Sequence, residues 1–234
     1  MPKRAINPIP EADRAKIPDY SYWNNEVDWA RAKANGAAGA ILRSSWGCYP
    51  DTKFEHFRNG CEAVGLPWGA YHYYDFRWSV AENLAAQKNA LAGRFGQINQ
   101  VGDFEQDPSS YPLKAIRAIA PGEAPEEALD VMPITRVMIG LPSQTVGMFS
   151  LIPAQVDSIA WSFFTQMENF IKRPGWLYTG YYWFLQWLAN DPKWLRYKLW
   201  EAWYAAEQYV RVPPPYGNGT AGGGGWRAWQ KTSK

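Results

Sequence analysis

A chain of 234 residues, 47% apolar and 20% charged, can bury a full core without disulfides or metals. Its 24 Lys and Arg against 22 Asp and Glu leave a formal charge of +2, and no basic run forms a phosphate-tracking stripe, so nucleic acid is not an expected partner. No stretch is apolar for long enough to span a bilayer and the opening MPKRAINPIPEADRAKIP lacks the apolar run of a signal peptide, so neither membrane insertion nor classical export is expected.

Short apolar strands alternate with helical segments along the chain. Ile17 to Ser21 reads as the first strand, Asn25 to Asn35 as a helix that Gly36 terminates, and AGAILRSSWG as a buried strand ending at Gly47. Asp51 to Val64 follows as a helix, with Phe54, Phe57, Cys61 and Val64 at helical spacing and Gly65 placed to stop it. PWGAYHYYDF is the next strand. Ser79 and Glu82 form an S-x-x-E capping box, opening a helix through Leu84, Leu91 and Phe95 to Gly96, and INQVGDFEQD is the strand after it. Prolines then break the rhythm, and residues 107–153 read as an insertion that shapes a groove, forms an oligomer contact or is a passive excursion. Beyond it come a helix from Gln155 to Lys172, the strand GWLYTG, the aromatic helix YYWFLQWLAN and the strand KLWEAWYA. A glycine run and a last apolar-polar segment, WRAWQ, close the series.

Repeated strand-plus-helix units imply a parallel sheet with right-handed crossovers, either doubly wound or closed into a barrel. No polar linker divides the chain, so the expectation is an α/β architecture with one barrel domain over 17–234 behind an N-terminal arm, 1–16.

Aromatic content stands out, with 14 Trp, 14 Tyr and 10 Phe. Flat rings with polar handles suit sugar faces, and they equally fill a core. Cys48 and Cys61 are expected as free thiols: Cys61 lies roughly 15 Å or more along the intervening helix at ~1.5 Å rise per residue, beyond disulfide reach. With His56 and His72 as the only histidines, no metal site and no cofactor is expected. His72 alternates with Tyr71 and Tyr73, so it should face the helices as a structural histidine if the tyrosines face the interior.

The residues most able to carry chemistry lie in VGDFEQD. Side chains alternate along a strand, so Asp103 and Glu105 share one face while Phe104 points to the other. At the carboxyl end of a parallel strand that face opens into the crevice where such folds hold their sites. Two crowded carboxylates resist ionising together, leaving one protonated and one charged, the division of labour that glycoside cleavage needs. The same spacing also occurs where strand-end acids cap a helix or pair with arginines. Asp19, at the end of the first strand, should face the same opening, and Asp75 is either a fourth acid or a loop cap.

In their order, IPDYSYWNNEVDW, ILRSSWG, GLPWGAYHYY, DFE, LYTG, LWEAWY and WRAWQKTS resemble the strands of the family 25 glycoside hydrolases, lysozymes that cut bacterial peptidoglycan. The resemblance implies an irregular TIM-like barrel of five β/α units followed by three strands. It implies hydrolysis of the β-1,4 bond between N-acetylmuramic acid and N-acetylglucosamine with retention. A monomer is expected, and the lack of a signal-peptide run fits a phage or prophage lysin or a virion component acting on the cell wall. Glu105 would be the general acid, Asp103 would stabilise charge on the ring or on a substrate acetamido group, and Asp19 would support them. Tyr71, Tyr73, Tyr178 and Tyr204 would contact sugar or the carboxylates.

The family usually carries another aspartate beyond the tryptophan-glutamine segment. Here the printed sequence reaches Lys234 without one, which leaves three alternatives: a chain that continues, a substitute at Asp75 or Glu201, or a glycan-binding or phage structural barrel without turnover.

Overall fold

The computed structural model describes residues 15–108, 151–188, 191–202 and 215–216, and the backbone of the strand at 226–230. Most of the expected arm and residues 109–150 of the expected insertion lie outside the described residues.

The first half of the chain contains β1 (Asp19–Tyr20), α1 (Trp29–Ala34), β2 (Ala40–Trp46), β3 (Tyr49–Pro50), α2 (Phe54–Ala63), β4 (Trp68–Tyr73), α3 (Val80–Leu91) and β5 (Val101–Asp103). After residue 150 come α4 (Pro153–Ile171), β6 (Trp176–Gly180), α5 (Tyr181–Trp187), a 3-10 turn over Pro192–Arg196, β7 (Lys198–Ala202) and β8 (Trp226–Gln230). The sheet runs β1-β2-β4-β5-β6-β7-β8 with every neighbouring pair parallel, and β3 is an antiparallel offshoot of β2 that the apolar pattern did not foretell. Ile41, Val101, Tyr178 and Trp200, from four strands across this order, meet in one cluster, so the sheet curls around its inner face. Among the described residues no pairing joins β1 to β8, and the result is a curled half-barrel.

Local chemistry explains where the helices begin and end. The Asp28 carboxylate accepts from the Arg31 amide at 2.9 Å, which starts α1 later than Asn25, and Gly36 at φ +88° ends it. Ser79 and Glu82 form the expected capping box on α3. That helix stops at Leu91 rather than at Gly96, because Ala92 turns left-handed at φ 47°. Gly96 serves a close approach instead: a Cβ there would stand 2.2 Å from the Trp68 carbonyl oxygen.

Two apolar layers clothe the outer face of the sheet. Trp29, Phe54, Phe57 and Cys61 of α1 and α2 pack on Leu42 and Trp68. Phe163, Phe164 and Met167 of α4 pack with Leu84, Phe104, Leu177 and Leu199. Cys48 and Cys61 are free thiols, and burial pushes the Cys61 thiol up to about 12. Among the described residues, no helix is long and apolar enough to cross a membrane.

His72 lies in this outer layer, fully buried and stacked on Phe163 at 5.3 Å. The Asn83 amide group donates to three backbone carbonyls, which leaves its oxygen to accept from His72 Nε2 at 2.9 Å. Nδ1 therefore accepts from the Ser45 hydroxyl at 2.8 Å. Burial lowers the imidazole to about 4, so it is a neutral structural ring, as its alternation with the tyrosines implied.

Gly102 sets the height of β5. A Cβ at this position would meet Phe164 Cζ at 2.7 Å and Phe163 Cε1 at 3.1 Å. Gly102→Ala is accordingly expected to lower the unfolding free energy by about 1–3 kcal/mol, read from a urea titration.

Candidate active site

Two strands, β1 and β5, bring the acids together. Val101 and Asp103 of β5 point inward, and Phe104 points outward, fully buried and stacked on Tyr74 at 4.5 Å. Pairing continues past the strand end: the Tyr74 amide donates to the Asp103 carbonyl at 2.9 Å and the Phe104 amide to the Tyr178 carbonyl at 2.9 Å. The Thr179 hydroxyl adds a bond to the Phe104 carbonyl at 2.6 Å. These bonds hold the chain extended for one more step, so Glu105 returns to the inner face. Asp19 arrives from β1, and all three acids line one groove of about 300 Å³.

Their environments differ. Asp103 is 4% exposed and its Oδ1 has no hydrogen-bond partner among the described residues. Burial holds its carboxyl well above the usual carboxylate range, Glu105 and Asp19 push it further, and Arg43 opposes them. Glu105 presents an exposed edge at the mouth, yet the groove walls take enough water from its carboxyl to raise it, and Asp19 adds to that. The pair therefore titrates as a unit that retains a proton above the range of isolated carboxylates.

Arg43 is the groove's fixed positive charge. Its Nε donates to Asp51 Oδ2 at 2.7 Å, its guanidinium lies 4.7 Å from the Tyr22 ring centroid, and its side chain is 9% exposed. Asp51 Oδ2 also accepts from the Tyr22 amide at 3.0 Å, which ties the loop after β1 to this ion pair. Tyr71 is raised by burial first and by Asp103 next, so its phenol stays protonated beside the acids.

Of the residues singled out in the sequence, Asp19, Tyr71, Tyr73, Asp103, Glu105 and Tyr178 line the groove. Tyr204 lies outside the described residues. Asp75 does not reach the groove. It is fully buried, accepts from Arg77 Nε and Nη2 at 2.9 and 2.5 Å, and takes the Arg77 amide at 2.9 Å, so it is the loop cap and not a fourth acid. Among the described residues, no group of His, Cys, Asp and Glu converges as a metal site.

Glu201 is no substitute either. It alternates with Trp200, which lines the groove, and so faces the outer layer, 1% exposed, with both carboxylate oxygens unpartnered among the described residues. Burial raises it to about 8, so between pH 4.5 and 8 the folded chain holds a proton that the unfolded chain releases, and stability falls as pH rises through that window. Glu201→Gln is expected to remove this loss. Its stability should match wild type near pH 4.5 and pull ahead by about 1 kcal/mol per pH unit up to pH 8 in urea titrations.

Arg43, Ser21, Trp23 and Trp200 line the groove without having been singled out. For Arg43 and Trp200 the signal was available, since each is two residues from an inward apolar neighbour or alternates with an outward one, but neither belongs to a recognisable acid pattern.

The site is thus a groove on a curled parallel α/β sheet, with acids at the carboxyl ends of its strands. Residues 18–118, which contain Asp19, Asp103 and Glu105, match the model of the family Glycosyl hydrolases family 25. The fold is similar to the muramidase from Acremonium alcalophilum, with TM-score 0.62 and 20% identity over 93% of this chain and 87% of that one. It is also similar to the bacterial lysozyme from Streptomyces coelicolor, with TM-score 0.61 and 18% identity over 92% and 82%. The spore cortex lytic enzyme SleM of Clostridium perfringens gives TM-score 0.59 and 21% identity over 92% of this chain and 60% of that one. No curated protein matches the sequence.

Proposed function

We propose that the protein is a peptidoglycan muramidase that hydrolyses the β-1,4 bond between N-acetylmuramic acid and N-acetylglucosamine with retention. The observation that carries this reading is the placement of Asp103 and Glu105 on one inner face with Asp19, in a span matched by the family 25 model. Glu105 is the general acid, because a proton donor must touch the oxygen between two sugars and Glu105 stands at the open mouth. Asp103 lies deeper and serves the charge that grows on the ring or its acetamido group, with Asp19 supporting both. Tyr71, Tyr73 and Tyr178 line the sugar path, and Tyr204 is assigned to sugar contact by resemblance alone. The barrel is the irregular form of five β/α units and three strands, working as a monomer at the cell wall. Similarity of fold to muramidases and to a spore cortex lytic enzyme supports that site of action.

Purified protein incubated with cell walls should release reducing ends that borohydride converts to muramitol. Glucosaminitol in its place would move the cut to the other bond, and a first-formed product of inverted anomeric configuration by NMR would remove retention. A second reading, a glycan-binding or phage structural barrel without turnover, draws on the three acids, not four, among the described groove residues. Wall binding with no new reducing ends would select it, and release from chitin alone would select an enzyme of another amino-sugar polymer.

A further inference from the structure

A cavity of about 300 Å³ sits at the low end of the roughly 300–1,000 Å³ of ligand pockets, so a polymer entering it must continue over neighbouring surface. One route out of the groove is already paved. Trp46 pairs in register with Tyr73, and Ser45 pairs with His72. Paired residues of parallel strands share a face, and the Ser45 to His72 bond fixes that pair as outward, so Trp46 stands beside Tyr73 on the groove face. Tyr73 lines the groove.

From Trp46 the rings continue. The Trp46 and Tyr49 centroids are 4.9 Å apart with planes tilted by 35°, and Trp78 meets Tyr49 edge-on at 5.7 Å. Tyr49 is 45% exposed. The platform is rigid. The Gly47 amide donates to the Tyr73 carbonyl at 3.0 Å, and Gly47 adopts φ +51°, where a Cβ would stand 2.7 Å from the Trp78 ring. The Trp78 amide and carbonyl are held by Asp75 and Asn83.

We propose that Trp46, Tyr49 and Trp78 form an outer subsite for the same glycan strand, binding pyranose faces one or more sugars beyond the cleavage point. Apolar ring faces flanked by the phenol of Tyr49 suit a sugar's C–H patch and its hydroxyls, and the direct continuity with Tyr73 selects a polymer already lodged in the groove. This rests on the glycan reading of the groove, and its failure is separable from failure of that reading.

The test uses soluble peptidoglycan glycans of two and four disaccharide repeats on the Glu105→Gln protein, with binding by calorimetry. The longer glycan should bind about tenfold tighter than the shorter, and Tyr49→Ala should abolish that difference while leaving the shorter glycan unaffected. Cys48, partly exposed between Trp46 and Tyr49, supplies a second readout: the longer glycan should slow its alkylation and the shorter should not, with buried Cys61 silent. Equal affinity for both lengths, an unchanged length preference in Tyr49→Ala, or equal loss of both glycans in that variant would overturn the subsite. A wild-type protein that cleaves no wall but keeps the length preference would overturn the muramidase reading and leave the subsite standing.

Discussion

Glu105→Gln is expected to cut the release of reducing ends from cell walls by at least about 10²-fold, the usual scale of general acid catalysis. The glycosidic oxygen leaves poorly as an alkoxide, so a proton must reach it as the bond breaks. Glutamine has nearly the same shape as glutamic acid but no proton of suitable acidity. Because Glu105 has an exposed edge and packs into neither outer core layer, and its carboxyl is raised by burial, the melting temperature should not fall. A collapse in stability alongside activity would mark Glu105 as structural. In wild type, burial and Asp19 raise the Glu105 carboxyl above its ordinary range. The alkaline limb of the kcat/KM profile should therefore lie above that of a solvated carboxylate, and Asp19→Asn should move it to lower pH.

Asp103→Asn should lower kcat by about 10²–10³-fold, the scale seen when a fixed electrostatic partner of a developing charge is removed. Stability should change in the opposite direction. The folded-state carboxyl is raised well above 3.8, chiefly by burial, so ionising it costs the native state more than the unfolded one, and stability is lost as pH rises from the ordinary carboxylate range. A neutral amide escapes that cost, so the variant should melt higher than wild type at neutral pH while turning over more slowly. Loss of both activity and melting temperature would instead show that the carboxylate holds the strand end together.

The acid pair was legible because alternation is local: knowing that VGDFE is extended is enough to put Asp103 and Glu105 together. The same rule would send Asp75 inward after Tyr73, and there it fails. β4 ends at Tyr73, and the Trp78 amide folds back to the Asp75 carbonyl at 3.1 Å, so the chain is already turning. Glu105 also lies beyond its formal strand, but Phe104 keeps a partner in β6, and the alternation persists. Which strand end continues and which turns depends on contacts 8 to 75 residues away, with Asn83 in one case and Tyr178 and Thr179 in the other. Periodicity in the sequence carries no trace of those. The capping box of α3 was legible for the same reason as the acids, while the end of that helix is set by Ala92 turning left-handed, which no glycine marks in the sequence.

The interleaving on β5 bears on how such a protein can change. Gly102 and Phe104 meet the helices, and Asp103 and Glu105 meet the groove, so support and chemistry alternate residue by residue. No block of this segment can be exchanged between relatives without carrying over the helix surface that fits it. Trp23 and Tyr49, both exposed and free of that coupling, are where substrate range can drift at little cost to folding.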